Sequence, residues 1–478
     1  MQRSLPLLLN ILASALPLAT MPLITRIYDP LLYGAYLTLL SVTTLVSFLG
    51  SLRLDLAIIA SQTADRAVTL AQIVAATVTI SVAIWTGTTS VVPALASFAP
   101  GSLSGSTLLD LLFAALLGMQ LIGQSMLIRN GQTSAIALVN IVLQALFPAF
   151  AVAFVISAPQ GNGLIAARAV ALIVAILLLA RLLVPMLAAV GKNVVGAGWR
   201  SALSESRPFL LYTYPYSIIG TFSRDALIYL LLLSDQLTVV GAVGLARSLL
   251  QAPGAILSTA LSALFFRRLM QDEVGTDSTR AGQAAARVLC WTTFPLFGLV
   301  AATADHWVPL VLGEKWRNSH VFFQLLAYPY ALTILTGWPE RIFEARGRQR
   351  LSLTIQLATD GAILAVLIGI TTLGKVGPLT LTAAYGAAYT VYQVVYAVTC
   401  FSLLAMPMGK VALLLVKTAL LFCGGWALGT ALEAAFASNV QIVLALMTVV
   451  VIVVGTALHP TIRALAALQP TRELNRPS

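Results

Sequence analysis

Four arginines of this chain lie within or beside long apolar stretches, where a charged side chain is costly and marks a functional site by default. They are Arg26, Arg53, Arg224 and Arg247. Arg247 lies ten residues into its apolar segment, about 15 Å along a helix and near the middle of a bilayer. The other three lie closer to a membrane surface. Arginines at graded depth favour a pathway for an anion, because guanidinium groups bind anionic oxygens by paired hydrogen bonds.

Each arginine also has a structural interpretation. Arg224 adjoins Asp225 and can pair with it, although neighbouring residues point about 100° apart on a helix. Arg53, close to Asp55 at the inner end of its segment, either extends its guanidinium to the membrane surface or binds substrate. Arg247 has no acidic residue within one helical turn. Its partner is therefore another helix, water or a ligand.

Three acidic residues are candidates for a different task. Asp360 lies nine residues into a later apolar segment, Asp110 lies near the outer end of another, and Asp225 follows Arg224. A carboxylate inside the membrane carries a coupling proton or sodium ion, or it is the counter-ion of a buried arginine. The sequence leaves both roles open.

No catalytic constellation accompanies these charges. His306, His320 and His459 lie near predicted membrane boundaries without metal-ligand spacing, and the three cysteines lie in apolar segments. The sequence contains no serine-nucleophile elbow, phosphate-binding loop or paired carboxylates in a plausible context. A membrane glycan polymerase is disfavoured because the predicted outer loops are short. We therefore predict no catalytic residue, no metal, no cofactor and no enzymatic activity.

The composition indicates that this chain is surrounded by lipid. Of its 478 residues, 59% are hydrophobic and 9% are charged, against about 25% charged in ordinary globular proteins. This excludes a soluble globular protein. The net charge of +11 raises the question of nucleic acid, but basic residues of polytopic membrane proteins collect in cytoplasmic loops. We predict membrane lipids and no nucleic acid as partners.

Apolar segments long enough to cross a bilayer, about 20 residues each, number fourteen in this chain. The predicted spans are 5–25, 33–58, 68–96, 107–127, 134–157, 163–190, 209–233, 237–265, 283–312, 321–345, 351–373, 377–406, 411–430 and 438–457. With the N-terminus inside, the outer segments carry only Arg26, Lys315, Arg317 and Lys375 as basic residues. The asymmetry predicts an all-α membrane protein with both termini cytoplasmic.

The polar stretch between the sixth and seventh spans divides the first twelve helices into two sets of six. The first predicted six-helix lobe covers 1–190 and the second covers 209–406, with a cytoplasmic linker over 191–208 between them. An extra helix pair over 407–457 and a cytoplasmic tail over 458–478 follow. The two lobes share a weak sequence similarity, since Asp29 to Gly34-Ala resembles Asp235 to Gly241-Ala. Duplicated halves are common in transporters, with the substrate path between them.

Several segments resemble one family. The stretches 22–36 and 51–58, with Thr-Arg26 and Leu-Arg53-Leu-Asp55, resemble the N-terminal signature of Wzx-type polysaccharide and O-antigen flippases. Segments 240–253, 312–317 and 347–351 agree in order. These flippases belong to the multidrug, oligosaccharidyl-lipid and polysaccharide (MOP) exporter superfamily, and the resemblance covers most of residues 1–405.

The resemblance implies a V-shaped, MATE-like pair of lobes around a cationic cavity that opens alternately inward and outward. Its substrate would be an undecaprenyl-diphosphate-linked oligosaccharide, the repeat unit of O-antigen, capsule or exopolysaccharide, moved across a bacterial inner membrane. Arg26, Arg53, Arg224 and Arg247 would bind the diphosphate, and the C-terminal helix pair would flank a groove for the polyprenyl tail. Polysaccharide polymerase machinery is an implied partner.

A second function stays open within the same superfamily. A cation-coupled exporter of multiple drugs or organic cations would use acidic residues in its cavity, whereas the embedded charges here are mainly basic. Coupling to a proton or a sodium ion also stays open. The cell interior is negative, so the membrane potential favours outward movement of an anion by about 2.3 kcal/mol per charge per 100 mV.

Overall fold

The computed structural model describes residues 5–91, 107–157, 163–188, 198–271, 276–340, 342–346, 348–374, 376–436 and 438–450. Every regular element within these ranges is helical, which confirms the predicted all-α class. The packing divides the chain into two compact units, Met1–Gly244 and Leu245–Ser478. The predicted boundaries of lobes, linker and tail stay predictions.

The first unit contains nine helices in its described residues and the first turns of a tenth. Their bounds are α1 Leu5–Ile27, α2 Pro30–Ser51, α3 Leu54–Ala60, α4 Ala64–Val91, α5 Thr107–Arg129, α6 Thr133–Ser157, α7 Gly163–Ala188, α8 Trp199–Glu205, α9 Tyr214–Leu233 and α10 Leu237–Gln271. A π-helical turn, Phe209–Thr213, precedes α9. The predicted linker therefore contains α8, whose Glu205 forms an ion pair with Arg66 of α4.

The second unit contains the rest of α10 and the helices that follow it. Their bounds are α11 Thr276–Ala302, α12 Ala304–Trp307, α13 His320–Gly337, α14 Ile342–Ala345, α15 Gln349–Thr372, α16 Pro378–Leu403, α17 Met408–Ala435 and α18 Asn439–Val450. A π-helical turn and a 3₁₀ helix, Val308–Leu312 and Glu314–Ser319, connect α12 to α13. The ninth predicted span, 283–312, is thus a helix to Ala302 followed by a short, irregular helical stretch.

Ten helices in the described residues are long and apolar enough to cross a membrane. They are α1, α2, α4, α5, α6, α7, α10, α11, α15 and α17. Large apolar side chains on these helices face outward, such as Leu177, which is 64% exposed, and Leu420, which is 65% exposed. Such surfaces fit lipid as the surrounding solvent, so the chain is a multi-pass membrane protein. The count of fourteen and the cytoplasmic termini stay predictions.

Helices of the first unit are joined by hydrogen bonds that satisfy polar groups away from water. The Tyr28 hydroxyl after α1 donates to the carbonyl oxygen of Ala151 in α6 at 2.7 Å. In α2, the Ser47 hydroxyl donates to the carbonyl oxygen of Ala114 in α5 at 2.9 Å. An unpaired polar group in the membrane costs several kcal/mol. These bonds therefore fix α1 and α2 against their neighbours.

The second predicted span, 33–58, is not one helix. It breaks after Ser51, where Leu52 and Arg53 both have left-handed backbone conformations, with φ of 49° and 56°. Non-glycine residues seldom adopt this region because the Cβ atom crowds the backbone. The chain then resumes as α3 at Leu54. The break sets the direction of Arg53 and of Asp55 in the first turn of α3.

The start of α2 and the start of α10 are in direct backbone contact. A Cβ atom on Gly34 would lie 2.1 Å from the carbonyl oxygen of Leu237, and one on Gly241 would lie 1.9 Å from that of Pro30. Both distances are far below van der Waals contact, so only glycine fits at either position. Small residues are the usual means of close helix approach in membranes.

A similar crossing joins α11 and α17 in the second unit. A Cβ atom on Gly298 would lie 2.1 Å from the carbonyl oxygen of Phe422, and one on Gly425 would lie 2.0 Å from that of Pro295. The helix predicted as the first member of the extra pair, α17, is therefore packed against α11 along its backbone.

Candidate functional site

Arg26 lies on an exposed part of the last turn of α1. The chain that follows is fixed: Tyr28 is buried, and a carboxylate oxygen of Asp29 accepts a hydrogen bond from the backbone N–H of Leu32 at 2.8 Å. Pro30 occupies the first position of α2, where its missing N–H costs nothing. The motif around Arg26 thus builds a rigid turn and leaves the guanidinium at an exposed position.

Arg53 has two partners within its own segment. Its Nη1 lies 3.5 Å from Oδ2 of Asp55, and its guanidinium lies 5.3 Å from the centroid of the Phe48 ring. The Asp55 side chain is only 4% exposed, and a buried carboxylate is costly without a counter-charge. Arg53 therefore supplies a counter-charge for Asp55. Its role toward a substrate stays a prediction.

Arg224 and Asp225 occupy consecutive positions in α9. Arg224 is exposed and Asp225 is half-buried, as expected for neighbours on different sides of a helix. Four residues after Asp225, the Tyr229 hydroxyl donates to the carbonyl oxygen of Ser41 at 3.3 Å, and its ring stacks on Phe222 at 5.3 Å. These contacts attach α9 to α2 and orient Arg224 away from that interface.

Arg247 lies at the middle of its candidate span. It is the eleventh of the 22 residues of Leu237–Ser258, and its side chain is half-buried. The guanidinium interacts electrostatically with Tyr330 of α13, whose side chain is fully buried. A half-buried cation within a candidate membrane span can bind an anionic oxygen without being surrounded by bulk water.

Tyr330 contacts a row of aromatic residues that was not predicted from the sequence. Its ring centroid lies 5.5 Å from that of Tyr389 in α16. The tyrosine row of α16 has successive ring centroids 5.6, 5.6 and 5.8 Å apart, and it comprises Tyr385, Tyr389, Tyr392 and Tyr396.

The tyrosine row follows from sequence spacing. Steps of four, three and four residues place side chains on one face of a helix, and this periodicity is the signal that could have revealed it. Tyr389 and Tyr392 are half-buried, while the two ends of the row are buried. Tyrosine offers an apolar ring and a hydroxyl, which together suit the C–H faces and hydroxyls of a sugar.

Polar groups of α13 and α15 contact α16, the helix that carries the tyrosine row. The Thr336 hydroxyl donates to Oε1 of Gln393 at 2.6 Å, and Gln356 of α15 is buried near Tyr396. Asp360 lies one turn after Gln356 and is half-buried. The predicted carboxylate of this helix is thus close in sequence to the residues that adjoin the tyrosine row.

The predicted residues fall in both units. Arg26, Arg53, Arg224 and Asp225 belong to the first unit, and Arg247 and Asp360 belong to the second. Asp110 lies in α5, but its side chain is outside the described part of the chain. Convergence of the arginines on one ligand, and the ion-coupling roles of the acids, stay predictions.

Comparisons with known proteins identify the fold. No protein-family model and no curated sequence matches the chain. A structure of lipid II flippase MurJ in an inward closed conformation matches with a TM-score of 0.68 at 9% identity, covering 96% of this chain and 98% of that one.

Two MATE transporter structures match less extensively. A mutant of the Vibrio cholerae MATE transporter VcmN has a TM-score of 0.51 at 14% identity, covering 84% of this chain and 95% of that one. An inward-facing MATE family transporter of the MOP superfamily has a TM-score of 0.50 at 13% identity, covering 86% and 95%. At these identities the likeness establishes fold alone. The chain has the helical fold shared by MurJ and the MATE transporters of the MOP superfamily.

Proposed function

We propose that this protein is a flippase for a polyprenyl-diphosphate-linked oligosaccharide, the repeat unit of a bacterial surface polysaccharide. The substrate would be carried from the inner to the outer leaflet of the cytoplasmic membrane by alternating access. Arg26, Arg53, Arg224 and Arg247 would bind its diphosphate. The Wzx-type resemblance of the sequence and the MurJ-like fold support the same class of substrate.

The observation that carries the proposal is the position of Arg247. It is a half-buried cation at the middle of a candidate span and interacts electrostatically with Tyr330, which adjoins the tyrosine row. Arginine binds phosphate oxygens through two parallel hydrogen bonds, and the tyrosine row supplies rings and hydroxyls that suit sugars. One part of the second unit thus combines groups suited to both ends of a glycosyl diphosphate.

The extent of the structural match supports the same function. The lipid II flippase covers 96% of the chain, whereas the two MATE transporters cover 84% and 86%. The C-terminal helices α17 and α18 fit a protein whose substrate carries a lipid tail. A multidrug exporter of organic cations would need acidic groups at the positions where arginines are found here.

Translocation in proteoliposomes tests the proposal directly. The full-length protein is reconstituted with fluorescent undecaprenyl-diphosphate tetrasaccharide, and outward movement is measured by quenching of the dye in the exposed leaflet. We expect protein-dependent translocation that slows when valinomycin and potassium collapse an inside-negative potential. Rates equal to protein-free vesicles, together with uptake of a labelled organic cation, would instead assign the multidrug function.

A second experiment tests the tyrosine row by comparing two substrates that differ only in the length of the glycan. Replacing Tyr389 and Tyr392 by Phe removes two hydroxyls and keeps both rings. We expect slower movement of the tetrasaccharide substrate and an unchanged rate for a polyprenyl diphosphate that carries one sugar. Equal rates for both substrates in the variant and the native protein would remove the row from glycan binding.

A further inference from the structure

A separate pocket lies between α11 and α17, with a volume of about 310 Å³. Arg287 and Trp291 line it from α11, one helical turn apart and hence on one face. Lys410 and Lys417 line it from α17, seven residues apart and again on one face. Leu414, between the two lysines, supplies part of its apolar wall. The pocket is therefore both cationic and apolar.

Among the described residues, the positive charge of this pocket is not balanced by an acidic partner. Within the described ranges, no carboxylate forms an ion pair with Arg287, Lys410 or Lys417. All three side chains are exposed, and Trp291 is 62% exposed. Three cations at one pocket repel each other, so an anion bound among them would lower the electrostatic energy.

The depth of Lys417 adds an independent constraint. The helix α17 is a candidate span over its whole length, Met408–Ala435. Lys417 lies nine residues after Met408, about 14 Å along the helix axis. An exposed cation at that position is unfavourable in hydrocarbon unless it reaches toward the interface or meets an anion. Lys410, one end of the same face, lies on the side that the distribution of basic residues predicts to be cytoplasmic.

We propose that this pocket binds an anionic phospholipid of the inner leaflet. Arg287, Lys410 and Lys417 would hold the headgroup phosphate, and an acyl chain would lie along Leu414 and its neighbour Leu413. Basic pockets between membrane helices on the cytoplasmic side suit anionic headgroups, and an exposed tryptophan suits the membrane interface. Charge complementarity selects an anionic over a zwitterionic lipid.

The site is distinct from the diphosphate-binding residues of the proposed function. None of the four arginines assigned to transport lines this pocket. The lipid would bridge α11 and α17 near the start of α17, at the end opposite to Glu433. Bound lipid would therefore stabilise the attachment of α17. Lipid binding at this site does not depend on transport activity.

Lipid binding by the full-length protein in detergent tests this inference. Native mass spectrometry measures the occupancy of dioleoylphosphatidylglycerol, with dioleoylphosphatidylcholine as the zwitterionic comparison. We expect the triple variant R287Q/K410Q/K417Q to bind phosphatidylglycerol about a hundredfold more weakly, since each of three basic residues near an anionic lipid contributes about 1 kcal/mol and about 1.4 kcal/mol is tenfold in affinity. A control variant, R200Q/K315Q/R350Q, loses the same charge at other exposed positions and should bind as the native protein does.

Alternative anions separate the possible sources of phosphate. Competition with inorganic phosphate at equal effectiveness would reduce the site to a simple anion site, and preferential binding of undecaprenyl phosphate would assign it to the transport substrate. Either result overturns the phospholipid proposal. So does equal binding of the two glycerophospholipids by the native protein.

A second measurement tests the proposal without the triple variant, in case that variant does not fold. Phosphatidylglycerol with brominated acyl chains quenches tryptophan fluorescence at contact distance, so the native protein should lose more fluorescence than the Trp291→Phe variant. The difference between the two proteins reports Trp291 alone. Equal quenching in both would show that no acyl chain reaches this pocket and would overturn the proposal.

Discussion

Gly34 and Gly241 are in reciprocal contact: the position of a Cβ atom on either glycine lies 3.0 Å from the backbone nitrogen of the other. Each also faces a carbonyl oxygen four residues upstream of its partner, that of Leu237 or that of Pro30. The two glycines occupy equivalent places in the sequence segments that resemble each other between the predicted halves. This resemblance therefore corresponds to a symmetric helix crossing, and the duplicated architecture stays a prediction.

Substitution of either glycine by alanine tests this crossing. The added methyl group would overlap a carbonyl oxygen, and overpacking of this kind costs about 1–3 kcal/mol. We expect Gly34→Ala and Gly241→Ala to lower the midpoint of thermal unfolding in detergent, measured by fluorescence-detected size exclusion. Gly361→Ala is a matched control, because its Cβ would meet nothing within 4 Å and alanine favours a helix by about 0.5–1 kcal/mol. A control variant less stable than the other two would contradict the assignment.

The neighbouring glycines of α17 give a second matched pair. A methyl group on Gly425 would meet the carbonyl oxygen of Pro295 at 2.0 Å, whereas one on Gly424 would meet nothing within 4 Å. We expect Gly425→Ala to loosen α17 and to increase protease cleavage in the loop at 404–407, while Gly424→Ala leaves cleavage unchanged. Equal cleavage in both variants would mean that α17 is held by other contacts.

Arg247 is the residue on which transport should depend most. If Arg247 binds the diphosphate as proposed, its replacement by Ala removes charge-assisted hydrogen bonds worth about 1.5–3 kcal/mol, so we expect translocation to fall by about ten- to hundredfold. Lys should restore part of the rate, since it keeps the charge and loses the bidentate geometry. The measurement is initial translocation rate at equal reconstituted protein.

The control for Arg247 is an arginine outside the proposed site. Arg200 is exposed in α8, with its guanidinium over the Trp199 ring at 5.2 Å, and Arg200→Ala should transport normally. Normal transport by Arg247→Ala would remove this residue from the binding site.

Much of the fold follows from hydropathy, because the membrane requires long apolar segments whatever their packing. The break after Ser51 could not be predicted, since Leu52 and Arg53 are not residues that favour left-handed backbone. The tyrosine row had a sequence signal in its spacing, but its contact with Tyr330 depends on the packing of α16 on α13. Nothing in the sequence indicates that Arg287 and Lys410 share a pocket, because only the contact of α11 with α17 brings them together. Local patterns identify helices and faces; partners depend on tertiary packing.

The pair formed by Arg53 and Asp55 allows its structural role to be separated from substrate binding. Arg53→Ala leaves the Asp55 carboxylate, which is 4% exposed, without its counter-charge. Burying a polar group without a partner costs about 1–3 kcal/mol, so this variant should unfold at a lower temperature. Adding Asp55→Asn removes the orphaned charge and should restore most of the stability.

Transport by the double variant R53A/D55N then reports on Arg53 itself. If Arg53 binds the diphosphate, as proposed, the double variant should be stable and still transport slowly, because the cation is absent. Asp55→Asn alone serves as the control, since it keeps the guanidinium and should retain transport. Measuring the unfolding midpoint and the initial rate on the same preparations separates the two roles. Recovery of both quantities in the double variant would confine Arg53 to the neutralisation of Asp55 and leave the diphosphate to the remaining arginines.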